Sequence, residues 1–176
     1  MQILNHTKTE KELTSDDFSV SKTDRMGRII YGNRAFVKLS GYGESELLHQ
    51  THSILRHPEM PKIIFQYLWE RIQQKKEIFA YVKNMCKDGS SYWGFANITS
   101  TLDKQGNIRD FQSVRRKPSK IAMESIPQHY TQLLAAERSE GIEASKAALE
   151  KVLRAKGTSY DKFILTLQQY ASSPLL

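Results

Sequence analysis

Hydrophobic and polar residues alternate in two regions of the chain, and alternation with a period of two is typical of β-strands. In the first region, residues 18–21 and 28–31 flank the turn sequence Asp24-Arg25-Met26-Gly27. The second region holds three longer runs, at residues 78–86, 91–102 and 108–116, which are separated by turn sequences rich in Asp and Gly. Such turns join antiparallel strands. The pattern therefore predicts a hairpin followed by a three-stranded meander.

Apolar residues spaced three or four positions apart indicate helices between these strand regions and near the C-terminal end. Short helices are predicted at residues 33–39, where Gly41 ends the helix, and at residues 45–48. A longer helix begins at Pro61, a residue suited to a first helical turn. Its apolar stripe consists of Ile64, Phe65, Leu68, Trp69 and Ile72. From about residue 125, glycines divide the pattern into three amphipathic helices.

This order of elements predicts an α+β fold, in which a five-stranded antiparallel sheet carries short helices on one face. Residues 1–17 are polar and lack periodicity, which predicts an N-terminal arm or a short cap helix. Residues 18–120 form the predicted α+β domain, and residues 121–176 form a C-terminal helical extension.

Composition narrows the class of protein. The 176 residues include 26 Lys and Arg against 19 Asp and Glu, a formal net charge of +7. The densest basic cluster, residues 115–120, falls at a strand end, whereas nucleic-acid modules usually carry their charge along one helix or face. Apolar stretches are far shorter than the ~20 residues of a spanning helix, and the first residues do not resemble a signal peptide. We therefore expect a cytoplasmic protein that does not itself span a membrane and does not bind nucleic acid.

Strand alternation also predicts which side chains face the inside of the sheet. If Asn84 faces inward, so do Ile78, Ala80, Val82, Tyr92, Gly94, Ala96, Ile98, Phe111, Ser113 and Arg115. Gly94 and Ala96 are small for such a face, so either the long helix packs closely there or a planar ring fills the space. Asn84 would be a buried amide whose hydrogen bonds must be met. A cofactor could meet them, or Asn84 could instead cap the hairpin at residues 85–90.

Residues 23–118 resemble the PAS domain of the Aer family of aerotaxis receptors. The most specific feature is Arg56-His57-Pro58-Glu59-Met60-Pro61 ahead of a helix containing Leu68-Trp69, with Val82-Lys83-Asn84 downstream. The other matching segments are Thr23-Asp24, residues 30–36, Ser40-Gly41-Tyr42, Glu46-Leu47, Phe65, Lys87-Asp88-Gly89, Tyr92-Trp93 and Ser113-Val114-Arg115. The chain departs from the family at Ser53, Glu59 and Phe79, where the family usually has Asn, Asp and Trp.

The resemblance implies a PAS fold that binds FAD and reports the redox state of the flavin to a signalling partner. A complete receptor of that family also carries a membrane segment, a HAMP domain and a long chemotaxis coiled coil. This sequence matches the PAS part, so the resemblance implies the stand-alone PAS subunit of a split receptor. Such a subunit would signal in aerotaxis through a separate transmembrane chemotaxis-type transducer. A homodimer is also compatible with the sequence.

The resemblance and the strand alternation together select nine candidate cofactor contacts. They are Asn33, Arg56, His57, Glu59, Phe65, Trp69, Asn84, Tyr92 and Arg115. Besides Asn84, three of them have a structural alternative as well. Asn33 could simply cap the helix that it precedes, Arg56 could pair with Glu59 at the surface, and Trp69 could pack in the core.

Arg115 carries a hypothesis of its own. A guanidinium stays protonated even when buried, so a nearby negative charge would offset its desolvation. Flavin light sensors that resemble this sheet have a neutral Gln at the matching position. Because one-electron reduction places negative charge on a flavin, we expect Arg115 to favour the anionic, one-electron-reduced form. Those sensors also need a reactive cysteine beside the ring, where this chain has residues 53–57, so Cys86 is interpreted as a structural thiol.

Other functions remain open at this point. We do not expect an enzyme, because the sequence shows neither a nucleophile–base set nor paired carboxylates, and its five histidines lack metal-ligand spacing. A haem-binding PAS gas sensor would use His52 or His57 as axial ligand. A cofactor-free interaction module would instead bind a protein, or nucleic acid through residues 115–120.

The outer face of the sheet carries a predicted apolar patch, formed by Phe79, Tyr81, Trp93 and Phe95. It is too large to leave in water, so we expect the N-terminal segment, a second copy or a partner to cover it. The C-terminal helices are nearly neutral and are expected to dock a protein. Truncation after about residue 120 should then preserve cofactor binding.

Overall fold

Six strands and six helices make up the part of the chain that the computed structural model describes, residues 9–169. The strands are β1 (Glu10–Lys11), β2 (Ser19–Thr23), β3 (Ile29–Gly32), β4 (Ile78–Met85), β5 (Ser91–Leu102) and β6 (Ile108–Arg116). The helices are α1 (Arg34–Ser40), α2 (Glu44–Leu47), α3 (Lys62–Gln73), α4 (Lys120–Glu140), α5 (Ile142–Ala155) and α6 (Tyr160–Gln169). One 3-10 turn, His52–Leu55, precedes α3. Within residues 9–169, no helix combines the length and the apolar character needed to cross a membrane.

The strands form one curled sheet in the order β1-β5-β6-β2-β3, and β4 pairs with the other edge of β5. Strands β2 to β6 are antiparallel, as predicted. Residues 10–11, predicted as part of a polar arm or a cap helix, instead pair in parallel with β5 as β1. A two-residue strand is too short to show periodicity, so sequence patterning misses it. Residues 1–8 of the predicted arm lie outside the described residues.

The register confirms the predicted inner face. Asn84 lies opposite Tyr92, and Ala96 lies opposite Arg115. Residues directly opposite each other in an antiparallel pair point to the same side of the sheet. Ser21 of β2 joins this face, because it lies opposite Ser113 of β6.

Capping residues set the ends of several helices. The Asn33 Oδ1 accepts a hydrogen bond from the Phe36 N–H at 2.9 Å and begins α1, which ends at Gly41 with a φ of 72°. Gly tolerates this left-handed conformation, so the predicted helix end is confirmed. Ser119 caps α4 in the same way, since its hydroxyl accepts from the Ala122 N–H. That helix therefore begins five residues before the predicted start at about residue 125.

The C-terminal helices pack on the outer face of the sheet. Tyr81 is 0% exposed and Phe95 1% exposed, and both belong to one hydrophobic cluster with Tyr130 of α4 and Ile164 of α6. The Tyr130 hydroxyl donates to the Tyr81 carbonyl at 2.8 Å, and the Tyr81 hydroxyl donates to the Ile164 carbonyl at 3.2 Å. The apolar patch is thus covered by helices of the same chain, and not by the N-terminal segment, a second copy or a partner as expected from the sequence.

Candidate functional site

A cavity of about 280 Å³ lies between helix α3 and the inner face of the sheet. Helix α3 lines it with apolar and aromatic side chains, namely Phe65, Leu68, Trp69 and Ile72. The sheet contributes Val82, Asn84, Ala96, Ile98, Phe111, Ser113 and Arg115. The cavity therefore has aromatic and aliphatic walls with a few polar groups, the composition usual for small-molecule sites.

Arg115 is the buried cation of this cavity, with 3% of its surface exposed. Its Nη2 donates to the Ser21 hydroxyl at 3.0 Å and to His52 Nε2 at 2.7 Å, while the Phe36 ring lies 5.4 Å from the guanidinium carbon. The Nη1 atom is buried and has no hydrogen-bond partner among residues 9–169. Burial lowers the pKa of Arg115, but a guanidinium remains charged in proteins. The cavity thus holds a positive charge with an unsatisfied donor.

His52 is half-buried in the cavity wall and neutral. Arginine can only donate hydrogen bonds, so His52 Nε2 accepts and the proton of the imidazole must sit on Nδ1. Burial, and secondly the charge of Arg115, lower the pKa of His52 to about 3. Its Nε2 lone pair is therefore already engaged by a cation and is not directed at a metal ion.

This neutral histidine predicts a loss of stability in acid. The ordinary pKa of histidine is 6.5, so below that pH the unfolded chain binds a proton that the folded chain, with a pKa of about 3, does not. Between pH 7.5 and pH 5.0 this difference lowers the free energy of unfolding by about 2 kcal/mol. Urea unfolding of the wild type and of His52→Gln at both pH values measures it. An equal loss in the two proteins would assign the pH dependence to other groups.

Asn84 and Tyr92 act together at the polar end of the cavity. The Asn84 Nδ2 donates to the Tyr92 hydroxyl at 3.1 Å, and both residues are buried. Asn84 lines the cavity, whereas Tyr92 does not line it and reaches it through its hydrogen bond to Asn84. The Asn84 side chain does not cap the hairpin at residues 85–90, which was the alternative role predicted for it. In that hairpin the Asp88 carboxylate accepts from the Ser90 N–H.

Arg56, Phe65 and Trp69 also meet in the cavity wall. The Arg56 guanidinium carbon lies 3.6 Å from the centre of the Phe65 ring, a cation–π contact. The Trp69 ring packs edge-on against Phe111 at 5.4 Å. A Cβ atom at Gly27 would lie 3.2 Å from the Trp69 indole, so the lack of a side chain at Gly27 allows the hairpin turn to approach this wall closely. Trp69 thus both lines the cavity and packs in the core.

Besides Tyr92, three predicted site residues do not line the cavity. Asn33 caps α1, and its side chain also accepts from the Val20 N–H and donates to the Phe18 carbonyl. His57 is buried, and its Nδ1 accepts from the Glu59 N–H at 3.2 Å. The exposed Glu59 carboxylate accepts from Lys83 Nζ at 2.8 Å. These residues hold the loop before α3 and the start of α1 in place.

Several polar residues of the cavity lining are not among the contacts predicted from the sequence, and two of them, Ser21 and His52, accept hydrogen bonds from Arg115. Ser21 lies on the inner face of β2, and strand alternation could have found it. The sequence predicts a role for His52 only as an axial ligand of haem, and nothing in its sequence context indicates a contact with Arg115. Gly94 also gains an explanation, because a Cβ atom there would lie 3.3 Å from the Arg115 Cβ. The small size of Gly94 thus makes room for the Arg115 side chain. Of the two small residues on this face of β5, Gly94 and Ala96, only Ala96 lines the cavity.

The geometry does not favour haem. His52 Nε2 is engaged by Arg115, and His57 lies outside the cavity lining. Over the described part of the chain, no three His, Cys, Asp or Glu side chains lie together in a way that could hold a metal ion.

A curled sheet with a cavity beneath helix α3 is an arrangement that comparison with known protein families can assign to a class. Residues 29–115 match a family model described as the PAS fold, and this part of the chain is therefore a PAS domain. This PAS domain is of the aerotaxis-receptor type. The chain is 32% identical to the aerotaxis receptor of Escherichia coli K12 over 136 residues, which are 77% of this chain and 27% of that receptor.

Another relative is the nitrogen fixation regulatory protein of Klebsiella oxytoca, 31% identical over 98 residues, which are 56% of this chain and 20% of that protein. The chain thus spans about a quarter or less of these two relatives. Among solved structures, a light-oxygen-voltage domain studied with a flavin analogue superposes with a TM-score of 0.55 at 24% identity, covering 63% of this chain and 83% of that one. The aureochrome1 light-oxygen-voltage domain in its light state gives 0.54 at 24% identity, covering 68% and 90%. Both confirm the PAS-like α+β fold.

Proposed function

We propose that this chain is a flavin-binding PAS redox sensor, that its flavin is FAD, and that it signals in aerotaxis through a separate transmembrane transducer. The observation that carries the proposal is the burial of Arg115 in the cavity wall. Arg115 is a buried cation whose Nη1 has no hydrogen-bond partner among the described residues, in a cavity with aromatic and aliphatic walls. Burying such a charge is costly unless a ligand with hydrogen-bond acceptors or negative charge completes it.

The side chains around the cavity suit an isoalloxazine ring. That ring has an apolar benzenoid end and a pyrimidine edge of alternating hydrogen-bond acceptors and donors. Phe65, Trp69 and Phe111 offer apolar contacts, and Asn84 with Arg115 offers an amide and a cation. Arg56 is a second cation in the wall, and its planar fork is suited to a phosphate group such as those of FAD.

A bound flavin would supply reversible electron uptake, and Arg115 would stabilise the negative charge that accompanies it. The neutral His52 keeps the Arg115 guanidinium in place by accepting one of its hydrogen bonds. The aerotaxis receptor is the relative that supports a role in energy taxis. We infer a cytoplasmic signalling module, rather than an enzyme, that reports the redox state to a partner.

The visible spectrum of the purified protein tests this proposal. We expect flavin absorption near ~450 nm, whereas haem would give a Soret band near ~400 nm. Protein that stays colourless after incubation with FAD, FMN and riboflavin would contradict flavin binding. FAD released by heat, identified by chromatography, would distinguish FAD from FMN.

A matched pair of variants locates the flavin. Asn84→Ala should weaken flavin binding by about tenfold, because a buried hydrogen-bonding group is lost. Asn97→Ala is the control, since Asn97 belongs to the same sheet but points away from the cavity. Equal affinities in the two variants would place the flavin elsewhere.

A further inference from the structure

Helix α3 has a second face, which contacts the C-terminal helices. While Phe65 and Trp69 line the cavity, Tyr67 packs edge-on against Tyr160 of α6 with ring centres 4.8 Å apart. Arg71 Nη2 also pairs with the Asp161 carboxylate at 2.6 Å. The helix is thus a shared wall between the cavity and α4–α6.

The first turn of α3 is capped from a distant part of the chain. Pro61 stands at the capping position and supplies no side-chain hydrogen bond. Instead, the Glu137 carboxylate of α4 accepts from the Lys62 N–H at 2.8 Å and the Ile63 N–H at 3.4 Å. A carboxylate is favourable there, because the first N–H groups of a helix lack partners and carry partial positive charge.

The same carboxylate acts on the cavity wall. Burial lowers the pKa of Arg56, and attraction to Glu137 works against that effect. Arg56 lies over the ring of Phe65, which belongs to the first two turns of α3. Glu137 does not line the cavity itself, yet it contacts the end of α3 and attracts the cation beside it.

We propose that Glu137 is a positioning residue of the cavity, through which ligand binding and the docking of α4 on α3 favour each other. A ligand that fixes Phe65 and Arg56 also fixes the helix end that Glu137 caps. By linkage, the cap then raises the affinity for the ligand by the same factor. The ligand in this proposal rests on the proposed flavin function, whereas the contact between α4 and α3 does not.

Riboflavin, which carries no phosphate, is the probe that isolates this effect. We expect Glu137→Ala to weaken riboflavin binding by about fivefold, the ratio that corresponds to loss of one helix cap. Glu137→Gln keeps an acceptor oxygen and should restore the affinity to within twofold. Tyr130→Phe is the matched control, because it removes a hydrogen bond between α4 and the sheet and leaves the contact between α4 and α3. Its affinity should stay within twofold of the wild type.

Amide hydrogen exchange supplies the reciprocal measurement. Riboflavin should slow exchange in residues 130–140 of the wild type, and Glu137→Ala should speed exchange at Lys62 and Ile63 without ligand. Wild-type affinity in Glu137→Ala, or exchange in residues 130–140 that riboflavin leaves unchanged, would overturn the coupling. If riboflavin, FMN and FAD all fail to bind the wild type, the proposed function fails. Exchange in the ligand-free variant would then still decide whether Glu137 holds α3.

Discussion

A chain truncated after residue 119 is expected to aggregate rather than fold, because the truncation uncovers the outer face of the sheet. Tyr81, Trp93 and Phe95 are all less than 10% exposed beneath the C-terminal helices. Each buried aromatic side chain of this kind stabilises the fold by about 2–3 kcal/mol. Three of them together approach the total stability of an ordinary domain, roughly 5–15 kcal/mol. Urea unfolding and light scattering, compared with the full chain, measure the effect.

A second truncated chain serves as the control for this interpretation. It carries threonine at positions 81, 93 and 95, which removes the apolar surface but keeps residues that favour strands. This variant should scatter less light than the simple truncation. If the simple truncation unfolds cooperatively and stays monomeric, the helices do not belong to the core. The outcome expected from the sequence, a truncated domain that keeps its cofactor, would then hold.

Arg115→Met is expected to raise the stability of the ligand-free protein by about 3 kcal/mol, because it replaces a buried, incompletely bonded cation by an apolar side chain of similar length. The variant leaves no new orphan group, since Ser21 Oγ and His52 Nε2 already lie 3.1 Å apart. The same change should weaken flavin binding. Stability gained at the expense of the ligand is the result expected for a binding residue.

Urea unfolding without flavin measures this stability, and flavin titration measures the affinity. Arg116→Met is the matched control, because Arg116 is the exposed neighbour on the opposite side of the strand and lies over the Phe95 ring at 5.2 Å. It should change neither flavin affinity nor stability by more than about 1 kcal/mol. A ligand-free Arg115→Met protein less stable than the wild type would show that Arg115 is a structural residue.

Strand periodicity explains why the sequence predicts the long strands and the inner face of the sheet well. The predicted runs at residues 91–102 and 108–116 coincide with β5 and β6. The inner face that alternation assigns to Asn84, Ala96 and Arg115 is the face that lines the cavity. Periodicity carries no information about which distant element covers the other face, so the role of α4 and α6 required the tertiary structure.

The lining of the candidate site was predictable where it lies on regular elements. Phe65 and Trp69 on α3, and Asn84 and Arg115 on the sheet, line the cavity as expected. Residues in the loop before α3 differ, because the direction of a loop side chain does not follow from a period. Arg56 points into the wall of the cavity, whereas the adjacent His57 is buried elsewhere.

Contacts between residues far apart in the sequence hold this fold together, and they determine how late in folding the sheet and its covering helices can assemble. Arg115 and Ser21 are 94 residues apart in the chain, and the Tyr81 hydroxyl bonds to a carbonyl 83 residues further on. Contacts of such separation form late, because the entropy of closing a long loop must be overcome first. During synthesis the meander leaves the ribosome before its covering helices, with its apolar outer face still bare. The nascent chain therefore passes through a stage in which that face is exposed and prone to aggregation until α4 and α6 have been synthesised.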